Sequence, residues 1–398
     1  MADLELSVMY RSPHATQVLQ QLLKKFEQQS RVRVHIKSLN WHDAWTDLMK
    51  VALYGDGPDV SEIGNTWVSD LARMNALRAF SAPDLRMLGG PESFLASLWQ
   101  STSVIGQPQT WAIPWVADTR ILFYRQDLLA KAGIDPQTAF NDHASLQATL
   151  EQLQATGVEI PWVVPSGQTR MTIHHVASWV WGAGGHFLSE DGKDVLIGEP
   201  AALQGLQQYF SLARFLAPAA RFLNDTQSDS LFWNGRAALT LSGPWLLHEQ
   251  SIPAEVRTGS AFIAPPGVPF IGGSHLVLWR HSPQPRPALE LINYLNSPEV
   301  QIPYSQEIGL FPTRLEALAD EQISKDAQTQ ELVDRIRHGR SFRTMPLWGM
   351  LENRISEAFS NLWREVLRSD PQESARLVSE YVIPLSRRLS RHLQQDLG

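Results

Sequence analysis

The stretch DGPDVSEIGNTWVSDL, residues 56–71, decides the fold. Its Gly-Pro start indicates a turn, and residues 59–63 then form a short strand pattern. The strand stops at Gly64-Asn65-Thr66, where Trp67 opens a helical pattern. In open α/β sheets, ligands bind outside the carboxyl ends of the strands. Trp67 is therefore either a plug in a core or a flat surface for a ligand, and the pattern alone leaves both open.

On both sides of this stretch, strand and helix patterns alternate. Residues 4–10 and 32–39 alternate apolar and polar side chains, and a helical stripe follows each of them. This β-α-β-α-β-α order predicts an α/β fold with parallel strands and right-handed crossovers. A second such unit begins near Thr119, with strands expected in ILFYR, PWVVP, RAALTLS and SHLVLW. The tail, about 350–396, is predicted to be helical with breaks at 369–371 and at Pro384.

Length and composition limit the possible functions. The 398 residues suggest about two domains. A net charge of −7, with no long basic block, is not that of a nucleic-acid-binding protein. The absence of cysteine excludes disulfides, thiolate catalysis and zinc ribbons. No run of about 18 apolar residues predicts a membrane span. The N-terminus shows no signal-peptide pattern, which leaves a cytosolic protein or one whose signal has been removed.

Tryptophan is frequent, with 14 Trp against 7 Tyr. Many of these tryptophans lie in turn-like contexts rather than in the middle of helices. A large core that uses Trp freely explains the number, and so does a cleft lined with indole faces. Composition alone favours the core, whereas the positions of Trp67 and Trp245 at strand ends favour the cleft for these two.

The usual catalytic and metal-binding motifs are absent. The chain contains no G-x-S-x-G elbow, no phosphate-binding P-loop and no HExxH. GAGGHF (182–187) ends in Phe187 where a dinucleotide fingerprint needs glycine. His174 and His175 are adjacent, so on a helix their side chains diverge by about 100° and cannot share a metal. A pair of carboxylates for glycoside hydrolysis stays open, because such a pair need not be local in sequence.

Five segments, taken in order, carry a family resemblance. They are YGDGPDVSEIGNTWVSDLARMNAL, WAIPWVADTRILFYRQDLLAKAGI, FWNGRAALTLSGPWLL, IGGSHLVLW with ALELINYLNSPEVQ, and GLFPTR. Each segment alone is weak, but their order and spacing across most of the chain are specific. The chain resembles the extracellular solute-binding proteins of ABC transporters, of the maltose-binding type and its sugar-binding branch.

The resemblance implies a two-lobed, type II periplasmic-binding-protein fold with a ligand cleft between the lobes. The N-terminal lobe would comprise 1–117 and 268–314, and the C-terminal lobe 118–267 and 315–398, joined by a three-segment hinge. The protein would bind a mono- or oligosaccharide, deliver it to ABC permease subunits and catalyse nothing. It would need no cofactor or metal, act as a monomer, and lie in the periplasm or outside the cell. The alternatives are a non-sugar solute, such as a glycerophosphodiester or a polyamine, and a glycosidase-type enzyme.

The resemblance also implies which positions contact the ligand, although helix-start, helix-cap and core roles stay open for several of them. The implied ligand-binding residues are His14, Asn40, Asn65, Trp67, Asp118, Trp245, Gly273, Ser274, His275, Arg343 and Trp348. Trp67 and Trp245 would stack on sugar rings, and Asp118 would place a carboxylate on hydroxyls. Trp115 either plugs the hinge or lines the cleft. Similar proteins carry an acidic residue near position 64, where this chain has Gly64, so a maltose- or trehalose-like hydroxyl pattern is not expected.

Overall fold

The structure is a computed structural model that describes residues 2–167, 170–249 and 251–397. Its strands are β1 (Ala2–Met9), β2 (Val32–Leu39), β3 (Val60–Gly64), β4 (Ile113–Thr119), β5 (Ile121–Arg125), β6 (Ile160–Val163), β7 (Ala237–Ser242), β8 (Ser260–Ile263), β9 (Ile271–Leu278) and β10 (Phe311–Pro312). Short 3-10 turns connect several elements, among them Asn65–Trp67 and Pro244–His248.

Helices occupy most of the remaining chain. They are α1 (Pro13–Ser30), α2 (Trp41–Tyr54), α3 (Val68–Arg73), α4 (Ala82–Met87), α5 (Ala96–Trp99), α6 (Gln126–Lys131), α7 (His143–Ala155), α8 (Met171–Gly182), α9 (Pro200–Ser211), α10 (Asp225–Trp233), α11 (Ala254–Thr258), α12 (Pro285–Leu295), α13 (Pro298–Ile308), α14 (Leu315–Leu318), α15 (Ala327–Arg337), α16 (Trp348–Val366) and α17 (Ser374–Leu397). Within the described ranges, none of these helices is long and apolar enough to cross a membrane.

The chain divides into two compact α/β units, which confirms the predicted two-lobed class. Unit 1 comprises Met1–Asp118, Ile271–Arg337 and Ser341–Gly349, and unit 2 comprises Thr119–Phe270, His338–Arg340 and Met350–Gly398. The first two divisions follow residues 118 and 270, where 117 and 267 were predicted. The predicted boundary after 314 differs from this division, which keeps residues 315–337 in unit 1; at the start of this segment, α14 packs against α13 and β10.

Unit 1 is built on a six-stranded sheet in the order β10-β4-β9-β3-β1-β2. Strand β1 runs parallel to both β2 and β3, as the repeated strand-helix pattern predicted. Strand β9 then pairs antiparallel with β3, with Ile63 opposite His275. Core clusters cover both faces of this sheet, one around Leu6 and Trp115 and the other around Ile63 and Trp279. Because both faces of this sheet are buried, the ends of its strands are the parts that can be exposed to a ligand.

Unit 2 is built on a four-stranded sheet in the order β6-β7-β5-β8. The predicted strands in ILFYR and RAALTLS are β5 and β7, which pair antiparallel. The predicted break of the tail at 369–371 lies between α16 and α17, but the break at Pro384 is wrong, since α17 continues through it. Val382 and Leu385 are buried on either side of this proline. Packing of an apolar helix face therefore outweighs the hydrogen bond that proline removes.

Candidate functional site

In unit 1, three tryptophans lie together beside the carboxyl end of β3. Trp67 closes the 3-10 turn Asn65–Trp67, and Trp41 and Trp45 lie one helical turn apart on α2. The ring centroid of Trp67 is 5.8 Å from that of Trp41 and 5.4 Å from that of Trp45. Trp41 is 45% exposed, and the other two are partly buried. We call these three residues the indole cluster; it offers flat apolar area at the surface of unit 1.

Trp67 combines the two roles that the sequence left open. Its ring packs against the core cluster that includes Ile63 and Val68, and it also contacts the exposed Trp41. A Cβ atom at Gly64 would lie 3.2 Å from Cδ2 and from Cε2 of this ring. A side chain at position 64 would therefore press against this indole, and the glycine lets the ring pack closely on the end of β3.

Two predicted asparagines have partners within unit 1. Asn40 caps α2, where its Oδ1 accepts a hydrogen bond from the backbone N–H of His42 at 3.0 Å. Asn65 is buried, and its Nδ2 donates to Oγ of Ser341 at 2.9 Å. Asn40 stays exposed next to Trp41, so its remaining hydrogen-bonding capacity faces solvent at the indole cluster.

Elsewhere in unit 1, a buried carboxylate organises the carboxyl end of β1. Glu62 accepts hydrogen bonds from the backbone N–H of Met9 at 2.7 Å and from Ser274 Oγ at 2.6 Å. Arg11 donates to both oxygens, at 3.1 Å from Nη1 and 2.5 Å from Nη2. Burial alone would lower the pKa of Arg11, but the Glu62 carboxylate holds it above its usual value. Ser274, predicted to contact ligand, is thus a buried partner of Glu62.

His275 is another predicted ligand contact that the structure moves into the core. Its side chain is fully buried, and its Nε2 lies 2.8 Å from Ser101 Oγ. Burial lowers the pKa of His275 to about 3, so the imidazole is neutral. Gly273 also serves the sheet: its φ is 141°, and a Cβ there would lie 2.1 Å from the carbonyl oxygen of Val116. Gly273 therefore allows a close approach to β4 and not to a ligand. The predicted ligand contacts of Gly273 and His275 are both corrected in this way.

Two predicted residues, His14 and Arg343, lie at the surface. The His14 side chain, at the start of α1, is 71% exposed, and its Nε2 is 3.5 Å from a carboxylate oxygen of Glu307. Arg343 is exposed in the segment before α16. Both side chains are thus accessible to solvent, and their ligand roles stay predictions.

Trp348 and Asp118 differ in exposure. Trp348 begins α16 and is buried, with its ring centroid 5.0 Å from that of Phe342. The predicted ligand contact of Trp348 is corrected, because protein atoms cover its ring. Asp118 lies near the end of β4 and is partly exposed, so its predicted role stays open to experiment. Trp115, three residues before it, is fully buried and stacked on Tyr304 at 5.1 Å, as a core plug would be.

In unit 2, Trp245 follows the carboxyl end of β7. Its Nε1 donates a hydrogen bond to Oδ2 of Asp229 at 3.0 Å, and Asp229 is itself buried. A Cβ at Gly243 would lie 1.9 Å from Cζ3 of the indole, so the ring lies directly over this glycine. The Cζ atom of Arg120 lies 5.2 Å from the ring centroid. The partly exposed indole is therefore held in one orientation by a hydrogen bond, a glycine and a cation.

Arg120 links Trp245 to the start of α8. Its Nη2 lies 3.3 Å from Nδ1 of His174, whose ring stacks on Phe270 at 4.7 Å. Nε2 of His174 is 3.6 Å from a carboxylate oxygen of Glu352. The guanidinium of Arg120 is itself buried, so in unit 2 it supports the Trp245 indole from the protein side and joins it to His174.

Sequence reasoning missed several members of these two groups. Trp41 and Trp45 are spaced i, i+4, which places both on one face of α2 next to Trp67, so the signal was present. Asp229 had no local signal, because it reaches Trp245 from a different helix. Within the described ranges, no group of three or more His, Cys, Asp or Glu is placed to hold a metal ion.

A sequence profile described as bacterial extracellular solute-binding protein matches residues 21–331, which is more than half of the chain. The chain belongs to this family. The predicted family resemblance is therefore confirmed, and the two α/β units with their strand-end tryptophans are the lobes of a solute-binding protein.

Individual relatives are distant. A probable ABC transporter-binding protein of Deinococcus radiodurans is 23% identical over 267 residues, and the match spans 64% of this chain and 64% of that relative. The diacetylchitobiose binding protein DasA of Streptomyces coelicolor is 23% identical over 373 residues, or 90% of this chain and 84% of that protein. The solved structure of the sugar-binding protein MalE from Xanthomonas citri shares the fold, with a TM-score of 0.83 at 20% identity, covering 99% of this chain and 100% of that one.

Asp229 gives this solute-binding protein a pH-dependent element of stability. Burial raises the pKa of Asp229 from 3.8 to about 6, against the opposing hydrogen bond from Trp245. Its contribution to stability is therefore present below 3.8 and lost as pH rises through about 6. The Asp229→Asn variant mimics the protonated carboxyl, so its unfolding free energy relative to wild type is expected to rise between pH 4 and pH 7, by up to about 3 kcal/mol, and its relative melting temperature should rise with it. A pH-independent difference in thermal melts would contradict this.

Gly243 fixes the orientation of Trp245 because it has no side chain, which leaves room for the indole directly above its backbone. The Gly243→Ala variant adds a methyl group where the indole of Trp245 now lies, and the ring must rotate away. We expect solute affinity to fall by roughly tenfold or more, and the near-ultraviolet circular dichroism of the tryptophans to change, while the helix content stays the same. Unchanged affinity measured by calorimetry would show that the orientation of this ring is unimportant.

Proposed function

We propose that this solute-binding protein is the receptor of an ABC importer and captures a mono- or oligosaccharide, which it delivers to the permease. The observation that carries this proposal is the indole cluster of unit 1, where three indoles meet beside a strand end and Trp41 is exposed. Trp245 supplies a second oriented indole, in unit 2. Two of the relatives described above are named for binding diacetylchitobiose and sugar, which supports the same ligand class.

The chemistry of a pyranose fits these groups. A sugar ring has an apolar C–H face, and an indole offers a flat face with little conformational entropy to lose. Around the rim, hydroxyl groups need paired donors and acceptors, which the side chains of Asn40 and Asp118 can provide. A site built for hydroxyls rejects solutes that lack them, because its polar groups are then left without partners.

The remaining properties follow from the receptor role. The protein acts outside the cytoplasmic membrane, in the periplasm or extracellularly, and associates with the membrane through the transporter. It binds as a monomer, without a metal or cofactor and without nucleic acid, and it catalyses no reaction.

A calorimetric panel that includes product analysis tests the proposal. The full chain is titrated with mono- and oligosaccharides, with glycerophosphocholine and with a polyamine such as putrescine, and each mixture is then analysed by chromatography. We expect saturable binding of at least one carbohydrate with no cleavage. Binding of only the phosphodiester or only the polyamine would favour the non-sugar alternative, and release of shorter sugars would establish a glycosidase instead.

A further inference from the structure

A cavity on unit 2 is lined by residues that none of the preceding function uses. It has a volume of about 190 Å³ and lies where the end of α16 meets the start of α17 and the end of α9. Its polar lining residues are Ser211, Arg214, Arg221, Arg368, Ser369 and Ser374. None of the described residues that line it is acidic, so three guanidinium groups face a cavity without a lining carboxylate.

Arg221 is the fixed cation of this cavity. Its Nε donates to the carbonyl oxygen of Leu216 at 3.0 Å and its Nη1 to that of Leu367 at 3.2 Å. These carbonyls orient the guanidinium and leave its positive charge without a carboxylate partner among residues 2–167, 170–249 and 251–397. A guanidinium held in this way is pre-organised for a planar or tetrahedral anion, because little side-chain entropy remains to be lost.

The other two arginines are more exposed. Arg214 forms an ion pair with Glu151, and its Cζ lies 4.7 Å from the ring centroid of Phe215. Arg368 is exposed and has no ion pair within the described ranges. Arg214 and Arg368 therefore add positive charge to the lining of the cavity while their charged ends stay accessible to solvent.

Ser374 points to a ligand independently of the arginines. It lines the cavity, it is only 4% exposed, and its Oγ has no hydrogen-bond partner in the described part of the chain. Buried hydroxyls are normally hydrogen-bonded, and an unsatisfied one carries a free-energy cost. Ser374 is also the first residue of α17, a helix of 24 residues whose positive dipole end lies at the cavity.

We propose that this cavity binds a phosphate-type oxyanion, either as free inorganic phosphate or as the phosphate of a lipid headgroup. The three arginines supply charge-assisted donors, Ser374 Oγ–H supplies a short one, and the start of α17 adds its dipole. The cavity is smaller than the roughly 300 Å³ or more of typical pockets for larger organic ligands, which favours a small anion. This site belongs to unit 2 alone and does not depend on which solute the protein transports.

Phosphate titration of the full chain tests the proposal. Phosphate is titrated into the protein at constant ionic strength and binding is followed by calorimetry, with chloride titrated in the same way as a control. The proteins compared are wild type, Arg221→Gln, Arg368→Gln and Ser374→Ala. The matched control is Arg376→Gln, which makes the same charge change as the two arginine variants but outside the cavity. Arg376 is an exposed arginine on α17, the helix that Ser374 begins, and it is paired with Glu373 and Glu380. Since Arg368 is exposed, its variant stays informative even where Arg221→Gln disturbs the fold.

We expect saturable phosphate binding that weakens by roughly tenfold or more in the three cavity variants and not in Arg376→Gln. A parallel arm measures co-sedimentation with phosphatidylcholine vesicles with and without phosphatidic acid. Binding that depends on phosphatidic acid and on the cavity arginines, without affinity for free phosphate, would assign the site to a lipid headgroup. Absence of both kinds of binding, or equal binding by wild type and the cavity variants, would overturn the proposal.

Discussion

Replacing Trp245 with alanine is expected to weaken carbohydrate binding by about 30-fold or more while leaving the protein folded. A rigid, oriented aromatic side chain that buries its face against a ligand typically accounts for about 2 kcal/mol or more of binding free energy, and about 1.4 kcal/mol corresponds to tenfold in affinity. Trp245 is only partly buried, so its removal leaves no large internal cavity. Calorimetric titration with a sugar from the panel measures the loss, and circular dichroism verifies the fold.

Two further variants separate stacking from other effects of Trp245. Trp245→Phe keeps an aromatic face but removes the hydrogen bond to Asp229, so it should retain part of the affinity. Trp233→Ala removes another partly buried tryptophan of unit 2 and should bind as wild type does. If Trp245→Ala binds with unchanged affinity, or if Trp233→Ala loses as much, Trp245 has no specific role in binding.

Replacing Glu62 with glutamine is expected to cost about 3–5 kcal/mol of unfolding free energy, because it leaves Arg11 as a largely buried cation without its counter-charge. The side chain of Arg11 is 13% exposed and that of Glu62 is 0% exposed. Urea denaturation of the purified protein gives the difference directly. Ser274→Ala, which removes one neutral donor to the same carboxylate, should cost only about 1–3 kcal/mol.

A double-mutant cycle identifies the source of this loss. The Arg11→Met/Glu62→Gln protein removes the buried cation together with its partner, and it should be more stable than Glu62→Gln alone. Additive losses in the cycle would mean that the two side chains act independently and that the ion pair does not organise the carboxyl end of β1.

The fold could be predicted from sequence because its signals are local. Alternation in 4–10 and 32–39 and the turn before Val60 specified three parallel strands, which are β1, β2 and β3. The continuation of α17 through Pro384 could not be predicted, since it depends on burial of Val382 and Leu385 in tertiary packing. The same holds for α14, which packs against α13 and β10 of unit 1 although its own sequence pattern does not specify those contacts.

The candidate site was predicted less completely. Trp67 and Trp245 follow strand ends, and that topological signal placed both at partly exposed positions. His275 lies inside β9, in the fully buried sheet of unit 1, where no local pattern separates a core residue from a ligand contact. Partners that come from distant segments, such as Asp229 beside Trp245, have no sequence signal of their own.

The most direct test of a carbohydrate receptor is a titration of the intrinsic tryptophan fluorescence of the full chain with an oligosaccharide series, repeated with Trp67→Phe and with Trp245→Ala. If sugar rings stack on these indoles, at least one oligosaccharide should change the emission saturably, and both variants should bind it more weakly. If the folded wild-type protein responds to none of the carbohydrates, or if both variants respond as wild type does, then the indole faces are not a sugar site.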